Sequence, residues 1–302
     1  MNVLLKYSAI LGSMLFANEV LAQSPMNSDR ATTEAPKKEY VNTDWRPSLV
    51  PDGMIDRVEN RVNRTMEWHT IREIDIAYKR RLWRRLDVKE KQNMPFIYAG
   101  DEYTGGGAFI EILIDAVKRG KIRAFQNDNF TTELSYEDVQ SKLMNEVEVE
   151  VIDPITGEPR IERVQNTFDP NNVAMYEVQE DYIFDRNAGR PLPRLRAITA
   201  YFAVTDPTTG EFRNWSPLFT VYYPEARNVL SQYEVYNPTN DLHRISWSDY
   251  LDRMMYNAYV VKTSYNNPTG ERMSQLGGLE GLMKGQREME SMIQKDMDMW
   301  EL

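Results

Sequence analysis

The apolar positions of this chain fall into short blocks whose spacing switches between helical and alternating. After Asp52, a residue type that caps helices, Ile55, Val58, Val62 and Met66 recur at helical intervals and predict a first amphipathic helix. Ile71, Ile74 and Tyr78 keep that period, with Arg72, Glu73, Asp75 and Lys79 turned outward, and predict a second. The stretch "AYKRRLWRRLDVKEK" (residues 77–91) then reads with period two. Leu82, Arg84, Leu86 and Val88 point one way, and Trp83, Arg85 and Asp87 the other. Asp87 and Glu90 have capping-box spacing, so the strand should run into one helical turn that Pro95 stops.

Downstream, "FIYAG" and a glycine run precede "AFIEILIDAVKRG", an amphipathic helix ended by Gly120, after which "KIRAF" reads as a short strand. A similar order returns later: "TVYY" as a strand, a polar loop, "SWSDYLDRMMYNA" as a helix capped by Ser246, and "YVVKTSY" as a strand. These read as two diverged copies of one strand–loop–helix–strand unit. "DPITGE" (153–158) and "DPTTGE" (206–211) share a hairpin-turn pattern, with proline favouring the turn and glycine taking positive φ. Alternating runs precede both: Val147, Val149, Val151, then Ile198, Ala200, Phe202, Val204. The fold class expected is α+β, with short amphipathic helices, small antiparallel sheets and hairpins.

The last thirty residues carry six of the sixteen methionines, at 273, 283, 289, 292, 297 and 299, beside Trp300. After a flexible "LGGLEGL" hinge they read as a mobile Met-rich helix suited to adaptable docking through Met289, Met292 and Trp300. At the other end, Lys6, the apolar "SAILGSMLFA" and Val20-Leu21-Ala22 read as a secretory signal peptide over residues 1–22. A polar arm with Pro36, Pro47 and Pro51 follows over 23–51, tacked down at Trp45. The expected organisation continues with a first α+β half over 52–141, a second over 142–272, and the helical tail over 273–302.

Charge and cysteine count narrow the roles. The net charge of −10 repels nucleic acid and anionic membranes at long range, against the seven basic residues of 77–91 forming a patch for either. No run approaches the ~20 apolar residues of a membrane span. The chain has no cysteine, so neither a lipid anchor on that residue nor a disulfide framework is expected, and stability must come from burial.

No catalytic, metal or cofactor site is expected. Only two histidines are present, His69 and His243, in dissimilar contexts, and a zinc site needs convergent ligands. "HRISWSD" lacks the glycines of a nucleophile elbow, and "TGGGAF" lacks the Gly-Lys-Ser/Thr ending of a phosphate loop. Glu146, Glu148 and Glu150 alternate with valines as on the solvated face of a strand, and "QNDNF" is an incomplete calcium loop. Aromatics remain as interface material; Trp215, Tyr222, Tyr223 and Trp247 read as core.

Three long blocks together resemble the GldN (PorN) family of periplasmic components of type IX secretion and gliding motility. They are "IREIDIAYKRRLWRRLDVKEKQNMPFIY", "EDYIFDRNAGRPLPRLRAITAYFAV" and "SPLFTVYYPEARNVLSQYEVYNPTNDLHRISWSDYLDRMMYNAYVVKTSYN". The resemblance runs from about Ile71 to Asn267 and departs from the family pattern at Met254, Met255 and Tyr256. It implies a non-enzymatic ring subunit in the periplasm that assembles with itself and with an outer-membrane lipoprotein of the GldK/PorK type. It also implies contact with the periplasmic domain of a GldM/PorM-type motor protein, with no cofactor, nucleic acid or direct membrane span. Trp83, Arg84 and Arg85 lie in its most recognisable block, as ion-pair and packing partners within the fold or as contacts to a neighbouring subunit. The alternative class is a periplasmic peptide- or glycan-binding module; a hydrolase using paired carboxylates ranks third.

Overall fold

The alternating block becomes the long strand β1, Ile76–Asp87, and a seven-stranded antiparallel sheet is organised around it. A computed structural model describes residues 65–99, 107–143, 146–152, 159–165, 170–205, 212–237, 240, 245–273 and 278–300. The remaining strands of the sheet are β2 (Ala124–Phe125), β3 (Glu133–Leu134), β6 (Met175–Asp185), β7 (Arg190–Thr205), β8 (Phe212–Tyr222) and β9 (Tyr259–Thr263). Their order is β3-β2-β8-β7-β6-β1-β9. A separate hairpin pairs β4 (Glu146–Ile152) with β5 (Pro159–Gln165).

Both expected hairpins are present: Ile152 pairs with Pro159, and Thr205 with Phe212, across the two Asp-Pro-x-Thr-Gly-Glu segments, which lie outside the described residues. The α+β class holds, with most of the strands joined into one large sheet. The expected first helix and the amino-terminal segments fall largely outside the described residues. The expected second helix shrinks to a 3-10 turn, Glu73–Asp75. Tyr78, Arg80 and Leu82 instead pair with Phe184, Tyr182 and Glu180, so cross-strand packing overrides the local helical period.

Helices pack on one face of the sheet. α1 (Phe109–Lys118) buries Phe109, Ile110, Ile112, Leu113, Ala116 and Val117. Its start depends on Glu111, whose carboxylate turns back to accept from the Ala108 N–H at 2.9 Å; Ala108 offers no side-chain acceptor, so this is half a capping box. Gly107 takes φ +82°, and a Cβ there would collide with the Glu111 carboxylate. α2 (Tyr136–Leu143) follows, with Ser135 and Asp138 exchanging capping hydrogen bonds.

Where a polar loop is expected after "TVYY", the chain forms α3, Tyr223–Leu230. Pro224 opens its first turn, and Tyr223, Ala226, Val229 and Leu230 are buried at helical spacing. α4 (Trp247–Asp252) begins as expected, Ser246 accepting from the Asp249 N–H at 3.1 Å. Tyr223 and Trp247 are core residues; Trp215 and Tyr222 are half-buried.

Phe96, Phe109, Tyr176, Trp247 and Tyr250 interlock over Leu86 and Val178, with ring centroids 4.5–6.0 Å apart. The helical turn after β1 is a 3-10 segment, Lys91–Phe96, that contains Pro95. Its fully buried Asn93 donates to the carbonyls of Asp87 and Asn257 and accepts from the Asn257 N–H. Asn93 thereby satisfies three backbone groups that the core would otherwise leave unpaired. The duplicated order is not reproduced: residues 97–99 form no strand, β2 joins β8, and β9 joins β1.

Candidate interaction surface

β1 and the C-terminal helix α5 (Gly278–Trp300) bring most of the candidate residues together. The register with β6 puts Leu82, Arg84 and Leu86 on the helix-bearing face and Trp83, Arg85 and Asp87 on the other, as the period-two reading requires.

The cations of β1 are spent inside the fold. On the face away from the helices, Asp181 receives Arg81 at 2.7 and 3.2 Å and Lys79 at 2.8 Å. Burial pushes the Asp181 carboxyl up, but these two cations outweigh it and hold it below the usual range. Trp83 donates its indole N–H to Asp128 at 2.8 Å while Lys262 lies 4.4 Å from its ring centroid. Asp128 also accepts from Gln179, so the "QNDNF" loop serves as a clasp over the sheet. Arg85 lies 3.9 Å from Glu177, whose carboxylate is gripped in a fork by Arg272 at 2.5 and 2.9 Å. That grip, against the cost of burial, raises the Arg272 guanidinium further.

On the opposite face Arg84 pairs with the fully buried Glu180 at 3.4 Å. Burial raises the Glu180 carboxyl, and Arg84 opposes the rise. Arg80 is buried beneath the Tyr265 ring, 3.8 Å from its centroid. A docking stripe would need these guanidinium groups free.

α5 lies over this end of the sheet. Met292 is buried with Leu82, Val260 and Met273, and half-buried Met289 offers sulfur to Arg84 at 3.8 Å. Tyr78 and Tyr182 both donate to the buried Asp296 carboxylate. Burial and those bonds push both phenols upward. Gly285 makes the approach feasible: a Cβ there would stand 2.5 Å from the Val260 carbonyl oxygen. The helix thus covers β9, the edge strand of the sheet.

Met289 and Met292, expected to dock on a partner, face the chain's own sheet, because burying them there removes their apolar surface from water. Fully burying such a side chain is worth about 1.5–3 kcal/mol. The Trp300 side chain lies outside the described residues. Between β9 and the start of α5 is a cavity of about 400 Å³ lined by Arg85, Glu90, Tyr259, Met273 and Leu282 among others.

Of Met254, Met255 and Tyr256, Tyr256 is buried, Met254 offers its sulfur to Arg84 at 4.0 Å, and Met255 is exposed. His69 is exposed, and His243 lies outside the described residues. Among the described residues no helix is long and apolar enough to cross a membrane, and no three His, Asp or Glu residues converge as metal ligands.

What sequence reasoning missed was a second stripe on α5. Leu279, Met283, Ile293 and Met297 are 49–70% exposed, on a side of the helix distinct from Gly285, Met292 and Asp296. The signal was in their spacing, which alternates steps of four and three residues once Gln286 and Glu290 are counted.

Compared with known families, the chain matches one described as gliding motility associated protein GldN, over residues 71–301. Among curated proteins, none matches it.

Proposed function

This chain belongs to the GldN family of gliding-motility-associated proteins, and from that membership we propose that it is a non-enzymatic structural subunit of a periplasmic ring. In this reading it assembles with itself and with an outer-membrane lipoprotein, and meets the periplasmic part of the inner-membrane motor, in type IX secretion and gliding. The observation that carries the proposal is the extent of the match, which runs from just before β1 through the whole sheet and α5. The tied-down cations of β1 support it by making that block a rigid internal frame.

The mass of the protein, measured by light scattering alone and co-expressed with the lipoprotein, tests the proposal. A small species that becomes a large, uniform particle with the lipoprotein is the expected result. A mixture whose species keep their separate masses overturns it.

A further inference from the structure

The exposed stripe of α5 has the spacing of a coiled-coil seam. Leu279, Met283, Gln286, Glu290, Ile293 and Met297 follow one another at steps of four, three, four, three and four residues, and all six are exposed. This sets them on one side of a helix whose neighbouring side is already seated on β9 and Leu82. A helix seated on a single sheet needs one apolar stripe.

The order of the residues identifies the occupant. The stripe is apolar at both ends and polar in the middle, and it is symmetric about residue 288. Laid antiparallel on a copy of itself about that point, Leu279 meets Met297, Met283 meets Ile293, and Gln286 meets Glu290. Gln286 already donates to Glu290 within the helix at 3.1 Å, and the antiparallel partner offers the same amide–carboxylate bond twice across the seam. A parallel arrangement instead stacks Glu290 on Glu290, two like charges at the centre. Polar residues inside a seam are a known means of setting register and orientation.

We propose that the exposed seam of α5 pairs antiparallel with the same seam of a second copy of this chain. Such a contact is isologous and closes at two subunits, so it differs in kind from the head-to-tail contact that builds a ring. It rests on α5 alone and stands or falls independently of the lipoprotein. Fewer than three heptads make a short seam, so the dimer forms and dissociates with concentration.

The absence of cysteine makes the test direct. Met283→Cys and Ile293→Cys are prepared as separate full-length variants without the lipoprotein, and each alone and the two mixed are exposed to a mild oxidant. The expected result is a disulfide-linked dimer in the mixture and little in either variant alone. Equal cross-linking of each variant with itself, or none in the mixture, overturns the proposal. Sedimentation across a concentration series gives a second reading with a variant whose fold is not at stake. Ile293 is 49% exposed, so Ile293→Glu should shift the parent's self-association to at least tenfold higher concentration while leaving its thermal unfolding unchanged. Unaltered association in that variant also overturns the proposal.

Discussion

Glu111 shows how one side chain can serve the local backbone and oppose the fold at the same time. Its carboxylate receives the Ala108 N–H at the start of α1, yet burial raises its pKa from 4.5 to about 7, and that backbone bond only partly offsets the rise. The native state therefore holds a proton that the unfolded chain has released between those values. Its contribution is intact below about pH 4.5 and is lost as the pH climbs through about 7. Glu111→Gln keeps an acceptor oxygen without the charge. Urea unfolding should find this variant about 1–2 kcal/mol more stable than the parent at pH 8, allowing for solvent screening, with the gap closing at pH 5. A parent whose stability is flat across that range would show that the buried charge is not penalised.

At the scale of elements, Gly285 has the clearest consequence. Alanine is the better helix former, so Gly285→Ala should favour an isolated helix by about 1 kcal/mol. Here its methyl group meets the Val260 carbonyl, and the helix must lift from β9. The expected outcome is a net loss of about 1–3 kcal/mol in α5 docking, read as faster amide exchange across 278–300 with the main core still protected. Unchanged protection would mean that α5 is held from elsewhere.

The elements legible in the sequence were those with one dominant signal: the period of β1, the apolar face of α1, the Ser246 cap and the two hairpin turns. α3 was hidden because Pro-Glu-Ala-Arg-Asn reads as polar, although its four apolar residues fall on one face. The turn before β1 was misread because a helical period over eight residues cannot compete with eleven paired positions in a sheet. On α5 both stripes were visible as apolar residues. Which one meets the sheet was not, since only Gly285 against Val260 and Asp296 beneath two tyrosines decide it.

For the molecule as a whole, strands from both sides of residue 141 share one sheet: β2 depends on β8 for its long neighbour, and β1 lies between β6 and β9. A fragment covering 52–141 should therefore lack stable structure on its own, as checked by its far-ultraviolet circular dichroism and amide spectrum. A folded fragment would support a boundary at that point. The candidate site was legible in part, because charge runs and methionines marked β1 and α5 as segments rich in contacts, but the carboxylates that neutralise the cations of β1 lie about 100 residues further along the chain and no local pattern names them. The same order of strands has a kinetic consequence. Leu82 faces Thr263, so on the ribosome β1 waits for 181 further residues before its outer neighbour exists. At about 5–20 residues per second that is roughly 9–36 s, during which the sheet cannot be completed and the nascent chain stays open to whatever receives it.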